Sequence, residues 1–389
     1  MKFKRFFAGT LATTPVTGFC CGVSGCKDGN DSEFTLKGLS ETLKLEVEGS
    51  KLYIKTLKSN LSENLISEDS EYALPKCGIV NGERTELDWK YTSSEEITTP
   101  VDGVSTSGVI YNFKEKKHNL KMRVYCTVHP ELSGPFEIYM EIDNLNDSNF
   151  RIEPHDFASL TIDTPNEEKT TITRFAKEGW TAEGFNMLSN YHGPGIYTQN
   201  VAEMTSSVTS KSKPTSTSNG YDLLAQYIDR GDDGVFVALE WPEGVITTSK
   251  NDGSLSTVVN FDFSPMKFAE LEPNRFSTEI RANTTFKFPS VYIMPYSGGM
   301  DNASNVFKSW FFDCKVVDIL RSNSRLPYTQ TDGDFGSPDT AVQVGLESVK
   351  WDYGWWSGIP FSGDADLYHE GAWTAIAVSL RIRQTRIAS

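Results

Sequence analysis

The chain has 389 residues, 38% hydrophobic and 23% charged, which fits a soluble globular protein of two or three domains at roughly 150 residues each and excludes a wholly disordered or collagen-like chain. No uninterrupted apolar run approaches the roughly 18 residues of a membrane span, so no membrane partner is expected. Lys+Arg 37 against Asp+Glu 52 leaves a net charge of −15, a field that repels nucleic acid and leaves a neutral or cationic small substrate open.

Residues 1–34 read as an N-terminal extension. Lys2, Lys4 and Arg5 before Phe6, Phe7 and Ala8 hint at a leader, but Thr10, Thr13, Thr14, Pro15 and Thr17 interrupt the apolar segment. A cytoplasmic location is favoured, with secretion open. Cys20, Cys21, Cys26, Cys77, Cys126 and Cys314 are too scattered for a disulfide scaffold, and the first three lack the second half of a zinc site. Free thiols are expected, with no metal and no cofactor. Asn-x-Ser/Thr triplets at Asn30, Asn60, Asn146, Asn283 and Asn302 carry little weight, since such triplets arise by chance.

From residue 35 to 298 the dominant period is two, which predicts an antiparallel β-supersandwich. Leu45-Glu46-Val47 and Leu52-Tyr53-Ile54 flank a turn at Glu48-Gly49-Ser50. Leu120, Met122, Val124 and Cys126 alternate with polar or aromatic residues, as do Phe136, Ile138, Met140 and Ile142. The segment His129-Pro130-Glu131-Leu132-Ser133-Gly134-Pro135 between them reads as a hairpin connection. Further strands are predicted at Gly234–Trp241, Thr257–Phe263, Glu279–Phe288 and Val291–Met294. Ten of the fourteen residues from Thr205 to Ser218 are Ser or Thr, so this segment reads as a loop with no face to bury. His155-Asp156 and His192 read as turn residues rather than as parts of a dyad.

After residue 298 the period changes. Asp301 reads as an N-cap, and Val306, Phe307, Trp310, Phe311, Cys314 and Val317 share one face of a helix ending near Leu320, a linker over 299–322. A strand at Arg325–Gln330, a helix from Ser337-Pro338-Asp339 through Leu346 and a strand at Glu347–Asp352 then form a βαβ unit, which requires a parallel sheet. Reactive groups in such folds sit at the carboxyl ends of the strands. There the chain carries Thr331-Asp332-Gly333-Asp334 and Trp351-Asp352-Tyr353-Gly354-Trp355-Trp356. Aromatic faces stack on the C–H surface of a sugar ring, and a fixed carboxylate accepts hydrogen bonds from its hydroxyls.

Gly345-Leu346-Glu347-Ser348-Val349-Lys350-Trp351-Asp352-Tyr353-Gly354-Trp355-Trp356 resembles the second barrel strand of the α-galactosidases of glycoside hydrolase family 36. Glu178-Gly179-Trp180-Thr181-Ala182-Glu183 is similar to an element of that family's N-terminal supersandwich, and Gly234–Trp241 to the strand after its Ser-rich loop. The order of sandwich, linker helix and βαβ unit agrees over about residues 40 to 373. The resemblance implies a mostly β N-terminal supersandwich followed by an incomplete (β/α)8 barrel, whose first two strands lie in 323–389. It also implies retaining hydrolysis of terminal α-galactosides, in which two carboxylates stand roughly 5 Å apart. That pair belongs to the fourth and sixth barrel strands, so no residue here is assigned as nucleophile or acid/base. The resemblance gives Asp352 a substrate-hydroxyl contact, with Trp355 and Asp332 beside it. Tyr353 departs from the Asp-Asp form of many members.

No acidic residue follows Glu370, while Arg381, Arg383 and Arg386 crowd the end, which suggests truncation or translation out of frame and a catalytically incomplete fragment. The function expected is that of an α-galactosidase-like hydrolase binding an α-galactoside or other carbohydrate. The alternative is a non-catalytic sandwich that binds carbohydrate or assists assembly, and homo-oligomerisation is open.

Overall fold

A computed structural model describes residues 24–25, 32–67, 70–80, 82–97, 105–153, 156–177, 194–211, 221–240, 244–260, 278–315, 330–332 and 348–350. The chain divides into two compact units, Met1–Trp310 and Phe311–Ser389.

The first unit is built on two large antiparallel sheets. One has nine strands in the spatial order β1 (Ser24–Gly25), β2 (Glu33–Lys37), β3 (Glu41–Glu48), β4 (Lys51–Ser59), β5 (Glu71–Tyr72), β13 (Asp156–Asp163), β20 (Ser254–Asn260), β19 (Val245–Asn251) and β16 (Val208–Lys211). The other runs β15 (Pro194–Asn200), β14 (Thr171–Lys177), β17 (Tyr221–Asp229), β18 (Asp233–Leu239), β23 (Val291–Ser297), β11 (Phe136–Asn144), β10 (Leu120–Val128), β9 (Ser107–Glu115) and β8 (Lys90–Ile97). A short strand β22 (Thr284–Lys287) pairs with β11 off this path. A small sheet joins β21 (Thr278–Ile280), β12 (Phe150–Ile152), β6 (Cys77–Val80) and β7 (Glu83–Glu86). Mostly β, sandwich-like architecture is thus what the alternating sequence produces.

The predicted hairpins form as read. Met122 pairs with Ile142, Val124 with Met140 and Cys126 with Ile138, so the apolar set of each strand faces the same side and all six are at most 1% exposed. β3 and β4 close through the two-residue loop Gly49-Ser50, where Gly49 takes φ +64°, a conformation that glycine adopts without Cβ strain. The sheets meet through side chains of both inner faces. Phe34 of β2 packs edge-on to Tyr111 of β9 at 5.8 Å, and Phe157 of β13 lies 5.9 Å from Phe288.

Two predicted elements come out differently. Thr205–Ser218 is not loop throughout, because Val208–Lys211 is β16, the edge strand of the nine-stranded sheet. Its Ser210 is fully buried and accepts from Gln226 Nε2 at 3.1 Å, so a hydroxyl-rich strand finds a polar interior rather than an apolar one. The continuous strand Glu279–Phe288 is instead two, β21 and β22, in different sheets. The chain turns between them at Asn283, held at φ +54° with its N–H on the Asn146 carbonyl at 3.1 Å.

Helix α1 (Gly299–Cys314) begins two residues before the predicted cap, leaving Asp301 in the first turn, where its charge suits the helix dipole. Ala303 and Trp310 are buried, whereas Phe311, expected on the same buried face, is 44% exposed.

Candidate functional site

In the second unit, β24 (Gln330–Asp332) and β25 (Ser348–Lys350) pair in parallel, with Gln330 opposite Ser348, Thr331 opposite Val349 and Asp332 opposite Lys350. A parallel pair cannot be closed by a tight turn. The strand predicted at Arg325–Gln330 overlaps β24 at Gln330, and β24 continues through Asp332, a residue expected in the loop beyond; residues 325–329 lie outside the described residues. Register places Asp332 and Lys350 side by side at the carboxyl end of the pair. Asp352 and Trp355 follow Lys350 by two and five residues, and they lie outside the described residues, as do Asp334 and the predicted helix through Leu346. Among the described residues of the second unit, β24 and β25 form a two-stranded parallel sheet, which does not show a barrel.

The other motifs divide similarly. The 178–183 element, His155 and His192 lie outside the described residues, while Gly234–Trp241 contains β18 as far as Leu239. Asp156 is exposed on β13 and accepts from Asn260 Nδ2 at 2.6 Å. Among the described residues no group of three or more His, Cys, Asp or Glu could hold a metal ion. Of the cysteines, Cys77, Cys126 and Cys314 carry free thiols, and burial pushes the Cys126 thiol far above its ordinary pKa, which leaves it unreactive.

Helix α1 packs through its Ser304, Phe307 and Trp310 on residues of the ten-stranded sheet. Phe307 packs on Phe236 at 4.6 Å, Trp310 on Tyr292 at 5.4 Å, and Ser304 Oγ donates to Tyr227 Oη at 3.0 Å. His129 lies 6.1 Å from the Trp310 ring, and a Cβ at Gly134 would collide with the same indole. Glycine in the 129–135 connection therefore does more than turn the chain: it lets Trp310 approach the backbone. Carboxylates near this contact are structural. Glu137 accepts from Ser290 Oγ at 2.5 Å, and Glu41 accepts from Ser40 Oγ at 2.5 Å and Ser40 N at 3.0 Å. Burial raises the Glu41 pKa, and the Ser40 hydrogen bonds oppose that rise.

One feature of the sandwich had no signal in any motif. A cavity of about 170 Å³ lies where the start of β4, the segment after β5 and the Leu87-Asp88-Trp89 segment converge. Its residues come from three separate stretches, which no sequence spacing could join.

No protein-family model matches the chain, and no curated protein matches it. Solved structures do. A GH36 alpha-galactosidase from Geobacillus stearothermophilus, AgaA, aligns over 83% of this chain and 50% of its own, with TM-score 0.57 and 10% identity. The alpha-galactosidase from Lactobacillus brevis aligns over 85% and 49%, with TM-score 0.56 and 12% identity. The galactosidase domain of the alpha-galactosidase-sucrose kinase AgaSK aligns over 86% and 51%, with TM-score 0.56 and 11% identity. Variants of the Geobacillus enzyme have been crystallised with stachyose and with raffinose. At such identities the likeness is one of fold, and this chain spans about half the length of the enzymes it matches. Over most of its length, the chain has the fold of the N-terminal region of GH36 alpha-galactosidases.

Proposed function

We propose that the chain is α-galactosidase-like, and that residues 323–389 begin a (β/α)8 barrel whose rim contacts a terminal α-galactoside through Asp352, Trp355 and Asp332. The observation that supports this most is the parallel pairing of β24 with β25 after the sandwich and α1, in a chain of GH36 fold. Parallel pairing brings both carboxyl ends to one edge, where barrel enzymes keep their substrate contacts. In this reading the Asp352 carboxylate accepts hydrogen bonds from two ring hydroxyls, Trp355 stacks on the C–H face, and Asp332 adds a further acceptor.

Retaining hydrolysis needs two carboxylates about 5–5.5 Å apart on opposite sides of the scissile bond. In this reading Asp332 and Asp352 come from the ends of neighbouring strands, so they bind rather than cleave, and the 389-residue chain is expected to bind galactosides without turnover. Isothermal titration with galactose and raffinose tests the binding: Asp352→Ala should weaken it by about 1–3 kcal/mol, the cost of hydroxyls left unpaired. An unchanged affinity removes Asp352 from the site. Turnover of an aryl α-galactoside that Asp352→Asn abolishes would make Asp352 catalytic and overturn the assignment of binding alone.

A further inference from the structure

We propose that the sandwich holds a second sugar site, a pocket for one neutral monosaccharide ring in the cavity between Lys51, Glu71 and Trp89. It does not rest on the barrel reading, since every residue in it belongs to the first unit.

Size selects the ligand first. About 170 Å³ is small beside the roughly 300–1,000 Å³ of pockets that enclose drug-sized ligands, and it is room for a single ring rather than an oligosaccharide. The wall is apolar and fixed. Leu74 and Leu87, both half-buried, supply its apolar surface, backed by the buried Pro75 and by Trp89, only 4% exposed, whose indole Nε1 donates to the Pro75 carbonyl at 2.7 Å. A ring can rest its C–H face on the two leucines without first ordering what lies behind them.

The rim is polar and mixed. Lys51 and Lys76 share the lining with Glu71 and Asp88, and Asp88 is also paired with Lys90 Nζ at 2.8 Å, so the rim sets cationic donors beside anionic acceptors, the mixture that a neutral polyol can use. Lys51 Nζ stands 3.5 Å from Glu71 Oε2, longer than the roughly 2.7–2.9 Å of a tight charge-assisted bond. A hydroxyl can therefore bridge the pair, accepting from the ammonium and donating to the carboxylate, which is the dual role each sugar hydroxyl offers. Glu71 also raises the Lys51 pKa, keeping the donor charged.

The test uses the 389-residue chain, with D-galactose and D-glucose as probes, read by saturation-transfer NMR and titration calorimetry. An Asp352→Ala chain should still bind one of these sugars, and adding Glu71→Gln, a change on a half-buried rim residue that leaves the apolar wall intact, should raise that Kd about tenfold, equivalent to about 1.4 kcal/mol. The proposal falls if the Asp352→Ala chain binds neither sugar, if Glu71→Gln leaves its affinity unchanged, or if inorganic phosphate displaces the sugar. Loss of binding in Asp352→Ala alone sinks this pocket and spares the barrel rim, whereas loss in Glu71→Gln alone does the reverse.

Discussion

The two ends of the sandwich bury their inner faces by different chemistry. Where β2, β3 and β4 lie against β9, β10 and β23, the interior is Leu36, Leu43, Leu45, Ile54, Tyr111, Val124 and Ile293, and shape complementarity holds the sheets. Where β17 lies against β16 and β19, the interior includes Gln226, Ser210, Thr248 and Thr257, all fully buried. Gln226 Nε2 donates to Ser210 Oγ at 3.1 Å and the Ile246 carbonyl at 3.0 Å, and Thr248 Oγ1 donates to Gln226 Oε1 at 2.7 Å. Thr248 and Thr257 hydroxyls meet at 2.9 Å. An apolar interior tolerates any set of side chains that fills it, whereas a polar one requires each partner, because an unpaired buried group costs about 1–3 kcal/mol. The polar end therefore fixes which edge strand docks there.

The largest expected effect tests the apolar interior where it continues past β4 and β5 to β13. Phe157→Ala removes a fully buried ring between Tyr72 and Phe288 and should cost about 3–5 kcal/mol in urea unfolding. A much smaller loss would mean that the sheets close over the gap, and that packing there is loose. At the polar end, Gln226→Leu keeps the bulk and strips the hydrogen bonds, so about 1–3 kcal/mol should be lost in the same assay. A neutral or stabilising result would erase the distinction between the two ends.

Outside the apolar end, β10 and β11 carry a polar ladder in which Arg123 Nη2 bonds Glu141 at 3.0 Å and Asp143 at 3.0 Å, beside stacked Tyr125 and Tyr139. Arg123→Ala should cost only about 0.2–1 kcal/mol, and added salt should shrink the difference, since the group is reached by solvent.

The smallest effect concerns Glu41, buried at the rim of the apolar end. Its carboxyl is raised above 4.5, chiefly by burial, so its contribution to stability is fully present below that pH and is lost as pH rises through the higher folded-state value. Melting temperatures of wild type and Glu41→Gln should diverge with rising pH, the variant becoming relatively more stable. A constant difference would show that the Ser40 hydrogen bonds offset burial in full.

The pocket at Trp89 and the packing around Trp310 show why the candidate sites were only partly legible. The βαβ reading followed from local order, strand then helix signal then strand, and the parallel register of Gln330–Asp332 with Ser348–Lys350 agrees with it. The pocket was invisible because Lys51, Glu71 and Trp89 are brought together by pairing across distant segments. Gly134 looked like a turn residue, and its second role appears only once Trp310 lies over it.

By itself the sequence determined which face of a strand is buried and where hairpins close. Alternation at Leu120–Val128 and Phe136–Asn144 and the glycine at position 49 are local properties, set by side-chain period and backbone sterics. Tertiary structure alone decided the strand order, with β13 seated between β5 and β20, the division of residues 278–287 between two sheets, and the conversion of a Ser/Thr-rich stretch into β16. The physical reason is that a strand's backbone can pair with any neighbour. Only buried partners remote in sequence, such as Gln226 beneath Ser210, make one pairing cheaper than the rest.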